Sequence, residues 1–153
     1  MPVDIVPIQT LLKQLTLDEK VALLTGDDFW YTVPIPRLGI PSIRVSDSPN
    51  GVRGTHFFSS VPAAYLPYGT AIGARFDRDL AIEIGYMLAT EVKAKGVHLV
   101  LGLTINIARG PLGGRGFESY SEDLMLSGVI AGYYCKGLQE KKHQRNPGAF
   151  CLQ

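Results

Sequence analysis

GLTINIARGPLGGRGFESYSED, residues 102–123, is the stretch on which the fold turns. It follows an apolar run, Val97-His98-Leu99-Val100-Leu101, and the spacing predicts a buried strand over 97–103. A helix-like segment opens at Ser121-Glu122-Asp123 with Ser121 as its cap, and its apolar positions run through Leu124, Leu126, Val129, Ile130, Tyr133, Tyr134 and Leu138. Between strand and helix lie Gly110, Gly113, Gly114 and Gly116, two arginines (Arg109, Arg115) and one glutamate, Glu118. Such a segment is longer than the ~2–6 residues of an ordinary α/β connection. Glycine-bearing loops after the carboxyl end of a strand are where α/β proteins build sites, a surface connector being the plain alternative.

A second stretch repeats the pattern. Ile40-Pro41-Ser42-Ile43-Arg44-Val45 alternates, is β-branched and reads as a strand. It runs into Ser46-Asp47-Ser48-Pro49-Asn50-Gly51-Val52-Arg53-Gly54, where an aspartate at a strand end precedes a turn and an arginine. Two strand-then-charged-loop units imply an α/β fold with both loops at one mouth.

The remaining chain is scaffold. Thr16-Leu17-Asp18-Glu19 is a capping box, followed by an apolar face of Val21, Leu23 and Leu24 and by Gly26 at the helix end. Trp30, in the aromatic segment Phe29-Trp30-Tyr31, suits either packed core or stacking on a sugar ring. Asp77 is placed to cap a helix through Leu80, Ile84, Met87, Leu88 and Val92, ended by Lys93, Lys95 and Gly96. His98 reads as a buried, hydrogen-bonded histidine, with no second ligand at metal-like spacing.

Composition narrows the class. The 153 residues suit one domain with a core and fall short of the roughly 250 of a complete (β/α)8 barrel. A net charge of +1 with mixed signs gives no footprint for nucleic acid or an anionic membrane. Cys135 and Cys151 are too few for a disulfide framework. No secretory leader, long apolar span or N-x-S/T sequon is read in the chain, which points to the cytoplasm. GPLGGRG lacks the spacing of a P-loop or a dinucleotide fingerprint, which argues against phosphate binding.

Taken together, SDSPNGVRG, LTINIARGPLGGRGFESYSED, LTLDEKVALLTG, FWYTVPIPRLGIP and FFSSVPAAYLPYGTAIGARFD resemble the N-terminal part of glycoside hydrolase family 3, fungal β-glucosidases above all. The resemblance covers about residues 10–139. It implies part of a (β/α)8 barrel and retaining hydrolysis of terminal β-D-glucosyl residues, without metal or cofactor, in a family with secreted members. It also implies that Asp47 and Arg115 bind hydroxyls of the sugar in the glycone subsite. A carboxylate can accept two hydroxyls and a guanidinium fork suits a vicinal diol. The plainer role for Asp47 is a turn cap toward Asn50. Arg53 is read as a buttress of its loop. Arg109 and Glu118 are read as an ion pair that holds the second loop and orients Arg115.

Several departures qualify the resemblance, of which Tyr65 and Tyr68 in place of cysteines carry no evident cost to the chemistry. Ser48 replaces a glycine, Leu103 replaces a proline, and after Gln139 the family pattern stops. Residues 140–153 are expected to be unrelated or disordered sequence, and Lys142-His143 is not read as the family's Lys-His pair. The catalytic nucleophile and the acid/base carboxylate are absent from the expected site. The chain therefore reads as a β-glucosidase portion that is inactive alone, the alternative being a non-catalytic sugar-binding or interaction fragment of a truncated gene product.

Overall fold

The computed structural model describes residues 7–47, 49–56, 58, 61–140 and 150–152. It divides into two compact units between Arg44 and Val45. In the first, helices α1 (Ile8–Gln14) and α2 (Leu17–Thr25) precede an irregular segment. The capping box forms as expected: the Glu19 amide donates to Thr16 Oγ1 at 3.2 Å, and the Thr16 amide to Glu19 Oε2 at 2.8 Å. Glu19 also receives Arg37 Nη2 at 2.6 Å. The Arg37 hydrogen bond, then the Thr16 amide, hold the Glu19 carboxyl at about 2. The apolar face expected on α2 is not buried, and Leu24 is 88% exposed.

The strand expected over Ile40–Val45 is displaced. Ile40 and Arg44 instead make isolated antiparallel bridges to Ile35 and Tyr31, around a 3-10 turn at Pro36–Leu38. Pro36 and Pro41 have no N–H to give, so a continuous ladder cannot form there. Trp30 is buried, and its amide donates to Asp28 Oδ1 at 2.6 Å.

The second unit is a parallel three-stranded sheet in the order β1 (Val45–Asp47), β2 (Leu99–Leu101), β3 (Phe150–Leu152). Helices α3 (Gly69–Ala74) and α4 (Arg78–Ala94) connect β1 to β2, and α5 (Leu124–Gln139) lies between β2 and β3. Asp47, Leu101 and Leu152 are in register, so the loops after β1 and β2 leave from the same, carboxyl, end of the sheet. β3 falls in the tail for which the sequence predicted no element. Three residues carry too little periodicity to announce a strand, and only pairing with β2 defines this one.

Burial of apolar side chains on α4 and α5 against the sheet forms the core, with Leu88, Val92, Val100, Ile130, Tyr134 and Leu138 nearly inaccessible. The two helices touch backbone to backbone. A Cβ on Gly85 would lie 2.4 Å from the Tyr134 carbonyl oxygen, and one on Gly137 would lie 2.2 Å from that of Ile82. Asp77 caps α4 as predicted, accepting from the amides of Asp79 and Leu80. α5 starts later than expected. Asp123, not Ser121, is its cap and accepts from Met125 and Leu126, while Ser121 Oγ accepts from the Asp123 amide. His98, just before β2, is exposed rather than buried.

Candidate functional site

Asp47 is the last residue of β1, exposed at the end of the sheet from which both loops depart. The backbone behind it is closed into a short loop. The Arg53 amide donates to the Asp47 carbonyl at 3.3 Å, and buried Ser46 donates its hydroxyl to the Arg53 carbonyl at 2.9 Å. Asn50 then staples this loop to the segment before α3. Its carbonyl accepts the Leu66 amide at 2.8 Å, and its Nδ2 donates to the Pro67 carbonyl at 2.6 Å. Ser48 lies outside the described residues.

Two helices reach up to the same loop. Tyr134 of α5, buried in the core, donates its hydroxyl to the Pro49 carbonyl at 2.7 Å. Glu91 of α4 accepts the amides of Val52 and Ala64, each at 2.9 Å. Lys95, one turn on, pairs with Glu91 at 2.8 Å and also donates to the Val52 carbonyl. Burial works to raise the Glu91 carboxyl. Lys95 and the two amides outweigh it and leave the group below the usual carboxylate range. Neither Glu91 nor Tyr134 was singled out from the sequence. An i, i+4 Glu–Lys pair on a helix looks like a solvated surface pair. Only the burial of both side chains, each 13% exposed, marks it as different.

The loop after β2 turns at once. Leu103 is buried with φ +69°, a left-handed conformation that a proline could not adopt. The hydroxyl of Thr104 donates to the Glu118 carbonyl at 2.8 Å, and that of Thr70 in α3 to the Phe117 carbonyl at 3.1 Å. The end of the loop therefore lies against α3, so closely that a Cβ on Gly69 would meet the Glu118 carbonyl oxygen at 2.3 Å.

Within this loop the expected ion pair is replaced by another. Glu118 pairs with Arg115, not with Arg109. The 3-10 turn at Gly116–Glu118 explains the exchange, because residues three apart are brought into line by that geometry. The Glu118 hydrogen bond raises the Arg115 guanidinium above its usual value, and the negative charge of Asp47 adds to it. Arg115 and Glu118 line a cleft of about 280 Å³, with Thr104, Asn106, Arg109 and Gly113 among the other walls. Arg109 is exposed and also borders a wider cleft with Phe117 and Glu122.

Other expectations fall elsewhere. Lys142 and His143 lie outside the described residues. Among the described residues no cluster of His, Cys, Asp or Glu is arranged to hold a metal ion, and no helix is long and apolar enough to cross a membrane.

Residues 27–147 match the family model described as the glycosyl hydrolase family 3 N-terminal domain. The match passes the Gln139 boundary at which the sequence resemblance stopped. The chain is 62% identical over 133 residues to "Probable beta-glucosidase J" of Aspergillus fumigatus, covering 87% of this chain but 15% of that protein. Among solved structures it is similar to a β-glucosidase from Kluyveromyces marxianus in complex with glucose. That match has a TM-score of 0.83 and 51% identity, over 87% of this chain and 16% of the other. It is also similar to β-glucosidase 3B from Thermotoga neapolitana in complex with α-D-glucose, with a TM-score of 0.80 and 32% identity, over 95% of this chain and 22% of the other. The chain thus spans about a sixth of the length of its fungal relatives, and over most of its own length it belongs to glycosyl hydrolase family 3, within the N-terminal domain of that family.

Proposed function

We propose that this chain is the first part of the (β/α)8-type barrel of a retaining β-glucosidase and supplies part of its glycone subsite. Asp47 and Arg115 bind hydroxyls of the terminal glucosyl residue. Arg53 steadies the first loop through its backbone, Glu118 fixes the Arg115 fork, and Arg109 borders the cleft. The observation that most supports this reading is the placement of Asp47 and Arg115 on two loops that leave the same end of the parallel sheet. The glucose complexes of the two structural relatives agree with a glucosyl ligand. Parallel strands in the order β1-β2-β3, with helices between them, are how a barrel of this type begins.

The chemistry needs more than this chain holds. Retention requires a nucleophile and a separate proton donor about 5–5.5 Å apart at one anomeric centre. Glu91 and Glu118 are engaged in ion pairs, and Asp28 caps the turn at Trp30 and Tyr31. Asp77 and Asp123 cap helices. None of these is free to attack a sugar.

The 153-residue chain should therefore bind methyl β-D-glucoside weakly, with a Kd of roughly millimolar order. It should release no aryl leaving group from a chromogenic β-glucoside. Nuclear magnetic resonance titration tests the first point, with Asp47→Ala as the variant that abolishes binding. Turnover above the Asp47→Ala control would overturn the second point and show a complete active site. Binding without turnover fits the partial subsite. Loss of both would leave the alternative, an interaction fragment that recognises no sugar.

A further inference from the structure

The Asp47 loop has a support that the proposed sugar contacts do not include. Glu91 and Lys95 are charged groups, each 13% exposed in its side chain, under a loop that starts from the exposed sugar-binding candidate Asp47 at the end of β1. Burying a carboxylate and an ammonium is costly unless their remaining valences are used. Here they are used on the loop itself. One Glu91 oxygen takes the Val52 amide, and the other takes the Ala64 amide and the Lys95 ammonium, which continues to the Val52 carbonyl. The pair thus joins three separate stretches: the turn after Asp47, the segment before α3, and the last turn of α4.

The turn is over-determined at the same place. Gly51 sits at φ +152°, and a Cβ there would lie 2.0 Å from the Ala64 carbonyl oxygen. The backbones of the two stretches are in contact at the level where Glu91 bridges them. Only four residues lie between Asp47 and Val52, and the Arg53 amide returns to the Asp47 carbonyl. A shift at Val52 is therefore passed to Asp47 through a closed ring of backbone.

We infer that Glu91, acting with Lys95, is a positioning residue for sugar binding. It sets where the Asp47 carboxylate stands without itself reaching the ligand. The inference rests on Asp47 being a sugar contact, but its structural half can be tested separately.

The test uses the 153-residue chain labelled with ¹⁵N, in wild type, Glu91→Gln and Lys95→Met, with methyl β-D-glucoside as the probe. A glutamine offers one acceptor where two amides and an ammonium are now served, and it turns a donor toward a donor. In Glu91→Gln the amides of Val52 and Ala64 should exchange at least tenfold faster, while those of Leu88 and Tyr134 keep their protection. Affinity for the glucoside should fall about tenfold. Lys95→Met should weaken affinity less, because both amide bonds to Glu91 remain.

Unchanged Val52 and Ala64 exchange with unchanged affinity in Glu91→Gln would overturn the inference. Equal loss of protection in the α4–α5 core would do so too, since it would reduce Glu91 to a fold-wide support. If neither variant folds, the wild type decides: Val52 and Ala64 exchanging as fast as Gly114 in the open loop would sink the clamp. If wild type binds no glucoside, the sugar reading fails, and the exchange data still settle whether Glu91 holds the loop.

Discussion

The loop after β1 is held by side chains rising from two helices, whereas the loop after β2 is held by two hydroxyls and by its own tight turns. Glu91, Lys95 and Tyr134 all end on the first loop, and all three side chains are largely or wholly buried. In the second, the Thr104 and Thr70 hydroxyls fix the far end. Between them, turns closed from Gly110 to Gly113 and from Gly113 to Gly116 carry the chain through solvent. Arg115 is 79% exposed in its side chain and has an acidic partner three residues on. The two candidate sugar contacts thus differ in stiffness. A short carboxylate stands on a fixed base, and a long guanidinium is steadied at its tip. A short side chain cannot adjust its reach, so its backbone must be placed; a long one can be corrected by a partner.

Glycine substitution gives the largest contrast between the loops. Gly51→Ala forces a left-handed residue and a clash with the Ala64 carbonyl, and should destabilise the chain by about 3 kcal/mol or more. For Gly114→Ala, nothing described lies within 4 Å of the new Cβ and φ is not positive, so the change should stay within about 0.5 kcal/mol. Urea unfolding of both variants measures the difference. Equal costs would remove the distinction between an anchored and an open loop. Open space around Gly114 and Gly116 also leaves room for a ligand beside Arg115.

Truncating the two contacts comes next. In a full-length relative carrying these loops, Asp47→Ala and Arg115→Ala should each raise the barrier by roughly 1.5–3 kcal/mol, the scale of a hydrogen bond to a charged group. That corresponds to about a 10- to 150-fold loss in kcat/KM. Arg53→Ala should act through stability instead, as expected of a residue that buttresses its loop. Steady-state kinetics on the three variants separates these outcomes, and a change within twofold for Arg115→Ala would remove it from the subsite.

Thr104→Val probes the weaker suspension directly. It deletes the hydroxyl that reaches the Glu118 carbonyl and keeps the branched shape, and should cost about 1 kcal/mol. Hydrogen exchange should speed up along residues 112–119 and leave Val52 and Ala64 unchanged. Faster exchange in both loops would show that they are mechanically one.

The two loops were also unequally legible in the sequence. Asp47 and Arg115 stand in motifs whose residue types name their chemistry, and the α/β alternation followed from apolar runs between turn residues. The supports were hidden. Glu91 and Lys95 are spaced like a surface pair, and what distinguishes them is burial under residues some forty positions earlier. Tyr134 read as one more apolar position on α5, although its hydroxyl crosses to Pro49. The partner of Glu118 was misplaced because a 3-10 turn could not be foreseen among three glycines. β1 begins five residues later than the pattern suggested, since the prolines before it divert Ile40–Arg44 into isolated bridges. For Glu91, Lys95 and Tyr134 the local periodicity was readable and the long-range partner was not, whereas at Glu118 and β1 the local backbone geometry itself was hidden.

The smallest expected effect lies at Glu118. Its pair with Arg115 is exposed on the arginine side, and such pairs contribute about 0–1 kcal/mol to stability. Glu118→Gln should therefore leave the urea midpoint nearly unchanged. It should nevertheless free the Arg115 fork, which loses its charged partner and pays more side-chain entropy when it meets a diol. Affinity for methyl β-D-glucoside should fall about two- to fivefold, less than the loss from Arg115→Ala. Salt discriminates the cause. If the pair orients Arg115, raising ionic strength should weaken sugar binding in wild type toward the level of Glu118→Gln and have little effect on the variant. A variant that binds sugar as tightly as wild type at every salt concentration would mean that Glu118 only closes the turn. The second loop would then need no steadying at its tip, and the contrast with the clamped loop would have to be sought in Asp47 alone.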